Sequence, residues 1–388
     1  MISKEHKKHS ALAKPDFGSF GTNEWALVGA KCDIIKELAG NIIRALLPEY
    51  KSAYIDTQHS DADEMPALPV YVASGAAIEY TNHIHYQQFN FNKTFSPFHY
   101  RQMFSDCDIV LVNGNHHQGK SQIVIIDETK KASLQKRLAQ LTNVQLFLFN
   151  GDVEIFDFIK DAIPSWQQIP TYNLHDTAKI IGFFKEHMQK VQPSLYGLVL
   201  AGGKSERLGY DKSKISWHGN EQRYHIANML SALCQQVFIS CRAEQEHEIN
   251  PTYKTLPDTF TGLGPYGAIL SALREHPSMA WLVLACDLPL LDAETLQYLI
   301  QNRDVSKMAT TFESPHDTLP EPLITIWEPK SYPVLLSFLS QGNSCPRKAL
   351  INNDVKIIKA IDPDALINVN TPADSEKVKN ILQRRAAV

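Results

Sequence analysis

The chain has 388 residues, with 38 Lys and Arg against 42 Asp and Glu, a formal net charge of −4, and 44% hydrophobic residues. That length suggests two or three domains of ordinary size, each able to bury its own core. The charge balance offers no whole-protein attraction to nucleic acid, and no stretch approaches the roughly 18 uninterrupted apolar residues a membrane helix needs.

The first residues form a basic cluster (Lys4, His6, Lys7, Lys8, His9) with no apolar core behind it, so it reads as a solvated tail and not as a signal peptide. Six cysteines, at 32, 107, 234, 241, 286 and 345, include no Cys-x-x-Cys pair. They fit a reducing cytoplasm better than a disulfide framework or a zinc site. Strands are expected at Trp25–Gly29, Ala53–Asp56, Asp108–Asn113, Gln122–Asp127 and Val144–Phe149, and helices at Asp33–Leu47, Leu134–Leu141 and Thr177–Lys190. A seam follows at Lys190–Ser194, where a helical pattern ends, a proline intervenes and a new apolar run starts. It divides the chain into domains at 1–193 and 194–388. The second domain offers strands at Tyr196–Leu200, Gln236–Ser240, Trp281–Ala285 and Leu323–Trp327. Its helices are expected near Tyr224–Cys234, Gly267–Glu275 and Ala293–Gln301. Alternation of strands and helices in both halves argues for parallel α/β sheets.

In the first half, the run from Trp25 through the helix at Asp33 to Ala53–Asp56 and Thr57-Gln58-His59 is ordered like the start of a P-loop GTPase. With Asp108–Gly114 and Ile169–Leu174 it resembles the GTP-binding adaptor protein of molybdopterin-guanine dinucleotide biosynthesis. The chemistry of that family is missing. A Walker A loop needs Gly-x-x-x-x-Gly-Lys-[Ser/Thr], but Ile34 and Ile35 stand where Gly and Lys belong, and Asp33 would repel a phosphate. Asn113 replaces the acidic residue of the second motif. The domain is therefore expected to be degenerate, serving docking, dimerisation or cofactor handover. His83 with His85 (His-x-His, both rings on one face if on a strand) and His116-His117 are either metal ligands or ordinary solvated histidines.

The densest motif is Leu200-Ala201-Gly202-Gly203-Lys204-Ser205-Glu206-Arg207-Leu208-Gly209-Tyr210-Asp211-Lys212. It follows the first buried strand of its domain, at the edge where open α/β sheets place ligands. Gly202 and Gly203 permit close backbone approach to a phosphate, and Arg207 and Lys212 supply charge for a triphosphate. The run Trp281–Ala285 leads through Cys286 to Asp287, a carboxylate at the tip of a buried strand and a candidate Mg²⁺ ligand.

The first string resembles the signature of the molybdenum cofactor guanylyltransferases, with Leu208 in place of the usual Met. Three further segments follow in that family's order: Asp258 with Gly262–Ile269, Gln341–Arg347, and Asn368–Asp374. The resemblance implies a Rossmann-like, glycosyltransferase-A-like nucleotidyltransferase behind the degenerate P-loop-like domain. It also implies that GTP is bound by Leu200, Ala201, Gly202, Gly203, Lys212, Asp258, Gly264 and Pro265. Asn368, Asn370 and Arg347 would meet the acceptor, molybdopterin. Catalysis would rest on Arg207, Lys212 and Asp287 with Mg²⁺, because the acceptor's ionised phosphate monoester needs no side-chain base. The Gly-Gly and Asp-Lys pairs look like the guanine-using branch. A cytidylyltransferase or sugar-phosphate nucleotidyltransferase, or a non-catalytic molybdopterin carrier, remain the alternatives. A molybdoenzyme or cofactor-insertion protein is the expected recipient.

Overall fold

The computed structural model describes residues 18–58, 68–202 and 212–386. The chain forms two compact units, Met1–Met188 and Gln189–Val388.

The first unit is built on strands β1 (Glu24–Val28), β2 (Ser52–Ile55), β5 (Ile109–Asn113), β6 (Ser121–Ile126), β7 (Val144–Phe149) and β8 (Thr171–Asn173). They form one parallel sheet in the order β2-β5-β1-β6-β7-β8. A separate antiparallel hairpin joins β3 (Ile78–Asn82) to β4 (Gln87–Phe91). The helix Cys32–Leu46 buries Ile35, Leu38, Ala39, Ile42 and Leu46, one stripe at helical spacing. The loop between β1 and this helix is only Gly29-Ala30-Lys31. Ile35, where a phosphate loop would need Lys, is fully buried within the helix, and Ile34, where it would need Gly, is half-buried helix.

One expectation fails here, and one condition is not met. The helix anticipated over Leu134–Leu141 is broken into Lys131–Gln135 and a 3₁₀ turn at Leu138–Gln140. Between them Arg137 turns its guanidinium onto the Asn115 carbonyl at 2.9 Å. His83 and His85 are not on a strand but in the tight turn of the hairpin, where His83 stacks on Tyr86 at 4.5 Å. Alternation therefore does not place their rings on one face.

The second unit holds β9 (Leu195–Leu200), β10 (Gln236–Cys241), β11 (Lys254–Pro257), β12 (Ala280–Ala285), β13 (Ala309–Glu313), β14 (Pro320–Trp327) and β15 (Val355–Ile358). The sheet order is β11-β10-β9-β12-β14-β13-β15. The first four run parallel, but β14 is antiparallel to both neighbours, so this sheet is mixed where an all-parallel one was expected. β9 and β12 are apolar along nearly their whole length, as parallel strands covered on both faces must be. One core packs Ile226, Ala227 and Leu230 against one face, and another packs Ile269, Leu270 and Leu273 against the other. Four strands thus end in register along a single carboxyl edge.

Candidate active site

That carboxyl edge frames a cavity of about 280 Å³. Leu200, Ala201 and Gly202 enter it from the end of β9, Ser240 from β10, Asp258 from just past β11, and Ala285, Cys286 and Asp287 from the end of β12. Gly264, Pro265 and Ala268 close it from the start of the helix Pro265–Glu275, with Ser213 and Leu323 completing the described lining.

Local sequence sets each of these positions. Gly264 precedes the helix with φ +57° and ψ −138°, a conformation that costs a side-chain-bearing residue strain, and Pro265 supplies the fixed φ suited to a first helical turn. A Cβ on Gly267 would fall on the Phe260 carbonyl oxygen, so only glycine lets this turn of helix close over the loop before it. Gly202 differs: a Cβ there would meet only ordinary contacts, the nearest being Arg242 N at 3.5 Å. Among the described residues nothing demands glycine at 202, which lines the cavity. Ala201 N–H donates to the Ser240 carbonyl at 3.1 Å, fixing the start of the loop against β10.

Among the described lining residues the charged groups are two carboxylates, Asp258 and Asp287. Asp258 is held by its backbone N–H to the Cys241 carbonyl (2.9 Å) and by the Ser240 hydroxyl, which donates to Oδ1 at 2.8 Å. Burial pushes its carboxyl above the usual range, and the Ser240 hydrogen bond only partly offsets this. Asp287 is half-buried at the tip of β12, and its carbonyl accepts from Val369 N–H at 2.9 Å. Two acidic groups facing a polyanion would repel it, so an anionic ligand here needs positive charge that the described lining does not supply. Hard carboxylate oxygens are the donor type that Mg²⁺ takes, with phosphate and water filling the rest of its shell. The lining thus fits a divalent ion at Asp287.

The expected residues distribute unevenly around this cavity. Leu200, Ala201, Gly202, Asp258, Gly264, Pro265 and Asp287 line it together. Gly203 and Arg207 lie outside the described residues, as does the side chain of Lys212, whose backbone opens a 3₁₀ turn at Lys212–Lys214. Asn368 and Asn370 are exposed and do not line the cavity, but Val369 between them ties the segment to Asp287. Asp374 accepts from Asn370 N–H and Thr371 N–H and caps the helix Pro372–Ala386. Arg347 is not among the cavity's described lining. Its guanidinium pairs with Asp317 at 2.7 Å and Glu321 at 3.1 Å. Ser240 and Ser213 were not anticipated. Ser240 had one readable sign, a hydroxyl near the end of the apolar strand Gln236–Cys241.

No described helix is long and apolar enough to cross a membrane. Among the described residues no group of three or more His, Cys, Asp or Glu is arranged as a metal site by itself.

The MobA-like NTP transferase domain family matches residues 197–356. A molybdenum cofactor biosynthesis bifunctional protein of Synechocystis is 34% identical over 184 residues, 47% of this chain and 53% of that protein, so the chain spans about half of that relative's length. A probable molybdenum cofactor guanylyltransferase of Nostoc is 33% identical over 184 residues, 47% of this chain and 88% of that protein. The crystal structure of molybdopterin-guanine dinucleotide biosynthesis protein A from Archaeoglobus fulgidus is similar at 22% identity and a TM-score of 0.42, covering 49% of this chain and 99% of that one.

Proposed function

Because the chain belongs through its second unit to the molybdenum cofactor guanylyltransferase family of nucleotidyltransferases, we propose that it transfers GMP from GTP to the terminal phosphate of molybdopterin. An oxygen of that phosphate monoester attacks the α-phosphorus of GTP, a new P–O–P link forms, and pyrophosphate leaves. The observation that carries this reading is the convergence of Gly202, Asp258 and Asp287 on one cavity at the carboxyl edge of four parallel strands.

Each residue has a role that follows from its setting. Gly202, and Gly203 beyond it, let the loop backbone approach phosphate oxygens with N–H donors. Asp258, its oxygen fixed by Ser240, faces the nucleoside as a hydrogen-bond acceptor. Arg207 and Lys212 bring positive charge to the phosphates, Arg through its fork and Lys as a compact charge. Asp287 would hold Mg²⁺, which when bound neutralises phosphate charge and orients the leaving pyrophosphate. No histidine is assigned a proton, because the acceptor oxygen is already ionised near neutral pH. Asn368 and Asn370, on the segment fastened to Asp287, and Arg347 are assigned to the acceptor. Residues 194–388 carry this reaction, and residues 1–193 are a degenerate adaptor-like domain without a phosphate loop, serving docking or handover to a molybdoenzyme or insertion protein. None of the six cysteines forms a disulfide, which fits a cytoplasmic setting.

The test is pyrophosphate release by the full chain with molybdopterin, comparing GTP with CTP, with and without Mg²⁺. Release with GTP and Mg²⁺ alone is the expected result. Release with CTP would move the activity to cytidylyl transfer, and release with neither would leave a molybdopterin carrier.

A further inference from the structure

At the carboxyl edge of the first sheet, where the short β1 connection stands in place of a phosphate loop, the fold assembles a different chemistry. Cys32 is the first residue of the helix Cys32–Leu46 and is half-buried. Its Sγ lies 3.3 Å from His116 Nε2 and accepts from Asn115 Nδ2 at 3.8 Å. Asn115 is itself anchored, donating to the Ala30 carbonyl at 2.9 Å. The turn after β5 positions His116, whose backbone N–H donates to the Asn113 carbonyl at 3.0 Å, and the side chain is only 13% exposed. The same Nε2 lies 3.8 Å from Asp56 Oδ1, at the end of β2. Asp56 is held in turn by Asn113 Nδ2 at 2.9 Å and by Lys36, whose Nζ is 3.6 Å from the other oxygen. Thiol, imidazole and carboxylate thus reach one edge from three separate segments. A nucleophile within reach of a base that faces a third group is the arrangement an activated thiol requires.

We propose that Cys32 is a nucleophilic thiol site that forms mixed disulfides with low-molecular-weight disulfides, with His116 as its proton acceptor. The thiol proton passes to His116 Nε2 as the sulfur attacks one sulfur of the incoming disulfide. A new S–S bond forms as the old one breaks, and the departing thiolate takes the proton back from the imidazolium. Asp56 faces that imidazolium and offsets its charge while it lasts. Cys234, half-buried, and Cys241, buried, do not compete, since burial pushes the Cys234 thiol up to about 12 and that of Cys241 up to about 11. Cys345 is exposed and serves as the internal reference.

The experiment treats the native full chain with the aromatic disulfide DTNB, quenches at intervals, and measures occupancy of each cysteine by peptide mass spectrometry. Cys32 is expected to react about tenfold faster than Cys345 or more, and His116→Ala and His116→Gln should each lower the Cys32 rate by about a hundredfold, the low end of what a positioned base supplies. The Cys345 rate should be unchanged in both. A variant that fails to fold reveals itself by fast labelling of Cys234 and Cys241, and the wild-type ratio of Cys32 to Cys345 then decides. Cys32 reacting no faster than Cys345, or at the wild-type rate in folded His116 variants, overturns the proposal and leaves an ordinary hydrogen-bonded thiol.

Discussion

Replacing Gly267 with alanine tests whether the helix that closes the nucleotide cavity is seated as described. The added methyl would fall on the Phe260 carbonyl oxygen and lie 3.2 Å from Leu263 Cβ. The first clash is with backbone, which cannot rotate away as a side-chain tip would. Overpacking a well-filled interior costs about 1–3 kcal/mol, and a backbone clash belongs in the upper part of that range. At roughly 2–4 °C per kcal/mol for a unit of this size, the transition of the second unit should fall by about 4–12 °C. Differential scanning calorimetry of the full chain is the assay, because two compact units need not melt as one. Gly202→Ala is the control: among the described residues its methyl meets only ordinary contacts, so melting should not change, while the affinity for GTP should fall because residue 202 lines the cavity. If Gly267→Ala melts like the wild type, the helix does not pack against the loop at Phe260, and the steric account of this segment is wrong.

Asp287→Asn should lower turnover by about 10²–10³, the scale of losing one strong electrostatic contact to the reacting phosphates, and leave the melting temperature near that of the wild type. Steady-state kinetics across a Mg²⁺ series would check it, and near-normal turnover would remove Asp287 from the metal site. Asp258→Asn should raise the melting temperature of the ligand-free protein at neutral pH, because burial holds the native carboxyl above its unfolded range and ionisation there is a penalty. With a raised native pKa, that penalty is absent below the unfolded value and grows as pH rises through the native one. The gain should therefore fade on acidification, and a gain that persists in acid would point to another cause. Glu328 is buried and grips Arg303 through two hydrogen bonds of 2.6 and 2.8 Å. Glu328→Gln should destabilise the second unit by about 3–5 kcal/mol by leaving a guanidinium without its counter-charge, and urea denaturation would measure it.

The strands that frame the site were legible because both their faces are covered, so Leu195–Leu200 and Ala280–Ala285 read as unbroken apolar runs. β13 was not legible. Its Thr310 and Thr311 are polar by letter yet fully buried, and the Thr311 hydroxyl is satisfied by the Glu321 carbonyl at 2.6 Å. β11 was hidden for a different reason: it is a four-residue edge strand ending in proline, which the edge of a sheet tolerates and its middle does not. The antiparallel direction of β14 also left no mark, since strand direction is fixed by how the chain returns and not by the residues within the strand.

Within the site, Gly202 and Asp287 were readable because each stands just beyond an apolar run, whereas Asp258, behind the hidden β11, was reached only through the family resemblance. Contacts that close over long separations were not. Arg347 pairs with Asp317 and Glu321, 30 and 26 residues away, and nothing near Arg347 in the chain announces them. The first unit shows the same asymmetry more sharply. A phosphate loop is one contiguous string with fixed letters, so its failure at Gly29–Lys36 can be read directly from the sequence. Cys32 and His116 are 84 residues apart and meet only because β1 and β5 are parallel neighbours whose carboxyl ends share an edge. A contiguous motif can be seen to be missing from one dimension, whereas a site assembled across a parallel sheet becomes visible only once strand order is known.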